Sequence, residues 1–305
     1  MLDLSNKRIL ISASLPPHIH DITTEAKLDN AIISLCSSLV SKGATIVYGG
    51  NLDEKGFTEK IAKRLSHIAP NGGQPNFVHM IDEPSLVLAG FPRLRDVLAK
   101  RDPERIWTYA CVGREWGRVF SSGDRIELNP EFSPSIRYNE KTFPADGSVR
   151  RPADAFSFAR QVKIDTSDAC IAIGGKTGIL EHPRDQYFGD FPGVAEEAIL
   201  MLRAGKPTIP LGRYGGCGSA IADALDLVTI KSDKEPQRQP GFKTAMEALK
   251  VLGDQVPNIV RDDVVVAAKS HVDPKLVDVI CSIITHWGEP KPRTGNGIPS
   301  RHFGG

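Results

Sequence analysis

The chain has 305 residues, of which 40% are hydrophobic and 25% are charged, so it can bury a full core. This composition excludes a disordered polymer, a collagen-like fibre and a coiled coil. The 38 basic and 37 acidic residues leave a formal net charge of +1, which excludes a global field that would gather nucleic acid or anionic membrane.

Strands and helices alternate in the first part of the sequence. A buried β-branched run predicts a strand at 7–14, and apolar spacings of three and four predict a helix over 28–40 that Gly43 ends. A second buried strand is predicted at 44–48, and a second helix begins near Gly56. Further strands are predicted at 76–81 and 105–112, with a helix through 94–98 between them.

The alternation lapses and then returns in the second part. Residues 113–154 are polar, are punctuated by Pro and Gly and show no clear period, so we interpret them as an insertion without assigned elements. The next elements are a helix at 152–165, a strand at 169–173, a helix at 193–204, a strand at 207–211 and a helix after a glycine cluster. Near the end, an amphipathic helix carries one apolar stripe, formed by Leu276, Val279, Ile280, Ile283, Ile284 and Trp287.

This order of elements predicts an α/β protein: a Rossmann-like, doubly wound, mainly parallel sheet with helices on both faces. No linker divides the chain, so we expect a single domain over 1–288, with the insertion 113–154 and a C-terminal helical extension. Residues 289–305 are rich in Pro and Gly and are expected to form a flexible tail. The apolar stripe and the insertion are both available for self-assembly or a partner.

Four loops that follow strands form the candidate binding site. Ligands of doubly wound sheets bind at the carboxyl ends of the strands, and glycine lets the backbone bring amide hydrogens close to phosphate. The loops contain Ser12 and Ser14, then Gly49 and Gly50, then Gly174, Gly175 and Lys176, and finally Gly215 and Gly216. They predict an anionic, nucleotide-like ligand.

Two common phosphate motifs are absent. Gly175-Lys176-Thr177 ends like a P-loop, but Cys170 stands where that motif requires its first glycine. Ser-Ala-Ser follows the first strand in place of the Gly-x-Gly-x-x-Gly fingerprint, so ordinary NAD redox chemistry loses support.

Residues 157–218 carry a more specific pattern. Arg160-Gln161 lies on a helix, Ser-Asp precedes the strand, Gly-Gly follows it, and Pro-Gly-Val-Ala-Glu-Glu at 192–197 opens the next helix. With Tyr48-Gly49-Gly50, this pattern resembles the LOG-Smf/DprA (SLOG) superfamily. Gly-Gly-Lys at 174–176, Ala-Gly-Lys-Pro at 204–207 and the later Gly-Gly are more similar still to the SLOG branch associated with Sir2 and TIR domains in prokaryotic conflict systems. That branch is implicated in binding NAD-derived nucleotides.

The resemblance carries roles onto particular residues. Arg160 matches the arginine of LOG enzymes, Glu197 the final glutamate of their motif and Glu196 the residue before it, while Lys176 matches a lysine of the Sir2/TIR-associated branch. The departures are an insertion between Gly178 and Gly193, glutamine at 161 and valine at 194, and these put hydrolase activity in doubt.

Each candidate also has a purely structural interpretation. Arg160 can form a surface ion pair, the two glutamates can oppose a helix dipole, Lys176 can be a solvated loop lysine, and the glycines can serve turns alone. In the functional interpretation Arg160 and Lys176 contact phosphate, and Glu197 accepts hydrogen bonds from ribose hydroxyls or stabilises an oxocarbenium ion. Arg184, in the inserted loop, is a weaker candidate for closing over an anion.

The resemblance therefore implies a protein that binds and senses an NAD-derived nucleotide of the ADP-ribose or cyclic ADP-ribose type, in anti-phage signalling. The first alternative is a LOG-like nucleotide N-glycosidase with Glu197 and Arg160 as its catalytic residues, and the second is DprA-like binding of single-stranded DNA. The predicted ligand-binding set is Ser12, Ser14, Gly49, Gly50, Arg160, Gly174, Gly175, Lys176, Gly193, Glu196, Glu197, Gly215 and Gly216.

The remaining features concern cofactors, partners and location. Five scattered cysteines and the neighbouring His18 and His20 have no ligand spacing, so no metal and no cofactor are expected. No apolar run is long enough to span a membrane and the N-terminus lacks signal-peptide order, so we expect a cytoplasmic protein without membrane partners. The expected partners are a small nucleotide, a separate effector chain and further copies of this chain, and nucleic acid is disfavoured.

Overall fold

Short apolar runs form one open sheet at the centre of the fold. In the computed structural model, which describes residues 2–15, 22–70, 72–130, 134–143, 151–229 and 236–289, nine strands make up this sheet. They are β1 (Arg8–Ser14), β2 (Thr45–Gly49), β3 (Phe77–Ile81), β4 (Ile106–Val112), β5 (Glu115–Ser122), β6 (Arg125–Pro130), β7 (Ile136–Tyr138), β8 (Ala169–Gly174) and β9 (Thr208–Leu211). Their order across the sheet is β7-β6-β5-β4-β3-β2-β1-β8-β9.

Six neighbouring strands of the sheet are parallel: β4, β3, β2, β1, β8 and β9. The chain adds β2, β3 and β4 on one side of β1, and later crosses back to place β8 on the other side, with Ile11 opposite Ile171. The order therefore reverses between β1 and β8, which is the switch point where doubly wound sheets bind ligands. The predicted Rossmann-like, mainly parallel architecture is confirmed.

Helices cover both faces of the sheet. They are α1 (Ile22–Ser41), α2 (Phe57–Leu65), α3 (Glu83–Lys100), α4 (Pro152–Asp165), α5 (Gly193–Arg203), α6 (Gly216–Ala224), α7 (Pro240–Val251), α8 (Arg261–Lys269) and α9 (Pro274–His286). Ile9 and Ile11 of β1 belong to the cluster that contains α1 and α2, whereas Leu10 packs with Ala159 and Val162 of α4. Successive strand residues point to opposite faces, so both faces of β1 are buried.

The segment left without elements at 113–154 contains three strands among its described residues, which corrects the sequence analysis. β5 and β6 form an antiparallel hairpin that closes with Ser122 opposite Arg125, and β7 pairs antiparallel with β6. Val119, Ile126 and Leu128 are buried beneath α3 at alternate positions. This alternation and the Gly-Asp turn at 123–124 are hairpin signals that the polar residues between them obscured. Residues 131–133 and 144–150 of this segment lie outside the described residues.

The C-terminal apolar stripe is part of the chain's own core. Ile280 and Ile283 are fully buried, Trp287 is 5% exposed, and α9 packs against α1 and α8. The stripe is therefore not free for a partner, in contrast to the expectation from sequence. The predicted tail 289–305 lies, except for Glu289, outside the described residues. The single domain over 1–288 stays a prediction.

We expect Ile280→Ala to destabilise the full chain by about 2–5 kcal/mol, because it deletes buried methyl groups from α9 and leaves a cavity. Urea unfolding followed by circular dichroism measures this change. Lys275→Ala, at an exposed position in the same helix, is the matched control and should change the free energy of unfolding by less than about 0.5 kcal/mol. Equal stability of both variants would contradict the docking of α9.

Candidate functional site

A cavity of about 220 Å³ lies at the switch point of the sheet. Ser12 and Ser14 reach it from the end of β1, and Gly49 reaches it from the end of β2. The other lining residues come from the junction of β3 and α3, from α4 and α5, and from the loop between β8 and α5, and include Asp82, Phe156, Arg160, Lys163, Lys176, Tyr187, Phe188, Gly193 and Glu197. Loops far apart in sequence thus enclose one space.

A buried ion pair forms the floor of this cavity. The Nζ of Lys163 in α4 donates to Oε1 of Glu197 in α5, and the hydroxyl of Ser12 donates to the other carboxylate oxygen. Glu197 is 6% exposed and Lys163 is 9% exposed. Each charge is costly to bury by itself, so each requires the other to stay ionised in this place. The pair fixes α4, α5 and the end of β1 relative to one another.

The charge state of Glu197 follows from these contacts. Burial raises the pKa of its carboxyl, but the nearby Lys163 and Arg160 charges and the hydrogen bonds from Lys163 and Ser12 lower it more, so the net pKa lies below its usual value. Glu197 is therefore an anion at neutral pH. A carboxylate of lowered pKa is a weak base, and it is suited to accept hydrogen bonds or to face positive charge.

A second ion pair lies beside the first. Arg160 donates to Glu196, whose other oxygen accepts from the hydroxyl of Ser157 at 2.6 Å. The guanidinium also lies 5.6 Å from the centre of the Phe156 ring. Arg160 lines the cavity, while Glu196 holds it from behind and does not line the cavity. These contacts hold the guanidinium at the wall of the cavity.

Lys176 differs from the other two cations of the cavity. Its ammonium donates to the carbonyl oxygen of Gln186 at 2.9 Å and is not paired with a carboxylate in the described part of the chain. Burial lowers the pKa of Lys176, and the charge of Asp185 offsets this only in part. A half-buried ammonium with a neutral partner favours an incoming anion, because the anion supplies the missing opposite charge.

The insertion between Gly178 and Gly193 forms a fixed wall of the cavity. Asp185 is fully buried and accepts hydrogen bonds from the backbone and hydroxyl of Thr177 and from the amide of Ile179, at 2.7 to 3.0 Å. The side chain of Gln239 binds both the amide and the carbonyl of Tyr187. Arg184 is exposed on this insertion and does not line the cavity.

Two glycines allow the cations to approach the backbone. A Cβ at Gly193 would lie 2.8 Å from Nη2 of Arg160, and a Cβ at Gly49 would lie 3.0 Å from Cδ of Lys163. Contacts this short would displace both side chains. Gly175 has a φ of +97° and its amide donates to the carbonyl of Ser14 at 2.7 Å, which ties the β8 loop to the end of β1.

The structure brings most predicted site residues together and separates others. Ser12, Ser14, Gly49, Arg160, Lys176, Gly193 and Glu197 line the cavity. Glu196, Gly174 and Gly175 do not line it. Gly50 turns toward Thr58, and its carbonyl accepts from Nε2 of His79 at 2.9 Å. Gly215 and Gly216 line a different cleft, between α6 and α7.

Sequence reasoning missed three polar residues of the cavity region: Lys163, Asp82 and Ser157. Lys163 is three residues after Arg160, a spacing that places both cations on one side of a helix, and this signal was available in the sequence. Asp82 follows β3 and caps α3 by accepting from the amide of Ser85 at 2.8 Å. The sequence offers no comparable signal for Ser157.

Two further observations concern metals and membranes. Within the described ranges, no group of three or more His, Cys, Asp or Glu is placed to hold a metal ion. His18 and His20 lie outside those ranges. Of the helices in the described ranges, none combines the length and apolar character that crossing a membrane requires.

The Rossmann-like sheet and the cavity at its switch point define a doubly wound α/β protein with a candidate ligand site in the usual place for that fold. The family model of SLOG cluster2 matches residues 3–77 and 131–270, so the chain belongs to this SLOG family. The family indicates binding or processing of a nucleotide-related ligand. Apart from Asp82, every residue that lines the cavity lies within the matched ranges. No curated protein matches the chain.

We expect Lys163→Met to lower the free energy of unfolding by about 3–5 kcal/mol, because it leaves the carboxylate of Glu197 buried without its cation. Urea unfolding at neutral pH measures the effect. Lys243→Met removes an exposed lysine from the surface pair with Glu247 and should cost less than about 0.5 kcal/mol. If both variants lose the same small amount, the buried pair is not a structural requirement.

Proposed function

We propose that this protein binds an NAD-derived nucleotide of the ADP-ribose type, including cyclic forms, and acts as its sensor. The observation that carries the proposal is the convergence of Arg160, Lys163 and Lys176 on one cavity at the switch point. Arg160 and Lys163 already face carboxylates, whereas Lys176 has only a carbonyl partner. The cavity therefore has a cation ready for a phosphate and a carboxylate ready for ribose hydroxyls.

Arg160, Lys176 and Glu197 would each contact a different part of the nucleotide. The guanidinium of Arg160 suits bidentate contact with a phosphate or with neighbouring hydroxyls, and the ammonium of Lys176 suits a point contact with a second phosphate. Each oxygen of Glu197 has accepted one hydrogen bond and keeps a further lone pair for a ribose hydroxyl. A ligand with both phosphate and ribose uses all three side chains.

The same contacts favour binding over hydrolysis. Both carboxylate oxygens of Glu197 are engaged, by Lys163 and Ser12, and its pKa lies below the usual value. A carboxylate so held is a weak base for activating water. Position 161 is Gln, and its side chain donates to Asp165 on the exposed side of α4, so it supplies no cation to the cavity.

The sensing role is part of this proposal. We propose that this sensor acts in anti-phage signalling in the cytoplasm and transmits ligand binding to a separate effector chain. Self-assembly of this chain, which we also propose, would give the effector a repeated binding surface.

We expect ADP-ribose or cyclic ADP-ribose to raise the melting temperature of the wild-type protein by mass action, and Lys176→Ala to weaken binding about 10- to 150-fold. The loss corresponds to about 1.5–3 kcal/mol, the range for a hydrogen bond to a charged group. Lys176 is the suitable residue because its removal leaves no carboxylate unpaired, unlike Arg160→Ala. Differential scanning fluorimetry and calorimetric titration give the two quantities.

Lys100→Ala, which removes an exposed lysine at the end of α3, is the matched control and should keep wild-type affinity. ADP-ribose, cyclic ADP-ribose, NAD and AMP form the ligand panel. The absence of a shift with every one of these ligands would refute the binding function.

A LOG-like N-glycosidase is the second candidate, and the anionic Glu197 in the cavity is the observation that favours it. Incubation with AMP, ADP-ribose and NAD, followed by chromatography, tests for release of free base. We expect unchanged substrates, because the contacts of Glu197 favour binding. Base release by the wild-type protein that Glu197→Gln abolishes would instead establish the hydrolase.

A further inference from the structure

Phe188 is far more exposed than a phenylalanine that stabilises a core would be. Its ring is 80% exposed, and it is aromatic while the other large exposed apolar residues of the described chain are Leu or Val. Burying a phenylalanine side chain contributes about 1.5–3 kcal/mol to stability, and Phe188 does not make this contribution. Phe188 also lines the cavity that contains Arg160, Lys176 and Glu197. Its place at the ligand cavity suggests that the ligand covers it.

The backbone that carries Phe188 is held firmly on the side of the cavity. The neighbouring Tyr187 is bound at both its amide and its carbonyl by Gln239, and the loop is anchored three residues earlier by the buried Asp185. The Nζ of Lys176 lies 5.9 Å from the centre of the Phe188 ring. One ligand can therefore contact the ammonium and the ring together.

The size of the cavity indicates which part of a nucleotide reaches Phe188. The cavity measures about 220 Å³. Pockets for drug-sized ligands measure about 300–1,000 Å³, so this space holds only part of a dinucleotide such as ADP-ribose. The charged side chains Arg160 and Glu197 lie within the cavity and suit phosphate and ribose. A base attached to that ribose extends to the mouth, where the apolar ring is exposed.

We propose that Phe188 is the base-recognition residue of this site, stacking on the nucleobase while Lys176 contacts a phosphate of the same ligand. This inference rests on the proposed function and makes it more specific. The ligand carries a nucleobase, and stacking of that base on the Phe188 ring contributes to the binding affinity. An aromatic platform accepts any base through its π surface and favours the larger purine ring.

The test compares wild-type protein with Phe188→Ala and Phe188→Trp in calorimetric titrations with ADP-ribose and with ribose 5-phosphate, which lacks a base. We expect Phe188→Ala to bind ADP-ribose about 5- to 150-fold more weakly, the equivalent of about 1–3 kcal/mol of base–aromatic stacking. Phe188→Trp keeps the platform and should retain wild-type affinity. Affinity for ribose 5-phosphate should not change in either variant.

Leu180→Ala is the matched control, because Leu180 is a 45% exposed apolar residue of the same loop that does not line the cavity. Wild-type affinity for ADP-ribose in Phe188→Ala overturns this inference alone and assigns the ring to another contact, such as a protein partner. An equal loss of affinity for ribose 5-phosphate also overturns it, since the effect would not involve the base. Wild-type protein that binds none of the nucleotides overturns the proposed function and this inference together.

Discussion

The contact between Lys163 and Glu197 joins the two helices that flank the end of the central strand. α4 and α5 are separated in sequence by β8 and a long loop, and this pair brings them together above Ser12 of β1. A half-formed pair would leave a charge buried without compensation, so the arrangement favours one relative position of the helices. Arg160, one turn before Lys163 in α4, and Glu196, the residue next to Glu197 in α5, form a second connection between the same two helices. The cavity exists where it does because these four side chains hold its walls.

The glycines belong to the same arrangement. Gly49 and Gly193 leave room for the side chains of Lys163 and Arg160, and a methyl group at either position would push the cation out of its ion pair. These two glycines therefore serve to let a charged side chain lie close to the backbone. The glycines of a P-loop differ, because they let backbone amides surround a phosphate. Arg160 and Lys163 are already paired with carboxylates of the protein, whereas Lys176 can still pair with an anionic ligand. The preference for an anion is therefore expected to depend mainly on the loop after β8.

The sequence was sufficient for the parallel sheet and for most of the cavity, because these depend on local patterns. Buried apolar runs such as Ile9 to Ile11 predict strands, and the topology rule then places the following loops at one edge. The rule does not say how far apart the loops lie along that edge. Gly215 and Gly216 follow β9, the outer strand, and so they line the cleft between α6 and α7 instead. The burial of Lys163 could not be predicted, because a lysine is expected at the surface unless a buried carboxylate pairs with it, and that partner lies thirty-four residues later.

The antiparallel part of the sheet contributes none of its described residues to the ligand cavity. Residues 78–130, outside the family match, comprise most of β3 together with α3, β4, β5 and β6, yet they contribute only Asp82 to the cavity. The ion pairs, the loop with Lys176 and the exposed Phe188 all lie in the matched ranges. The charge arrangement is therefore built by the family core, while the hairpin extends the sheet beyond β4 and buries its own apolar residues under α3. Since Asp82 lies between β3 and α3 and lines the cavity, it is the residue through which this part of the chain can act on the ligand.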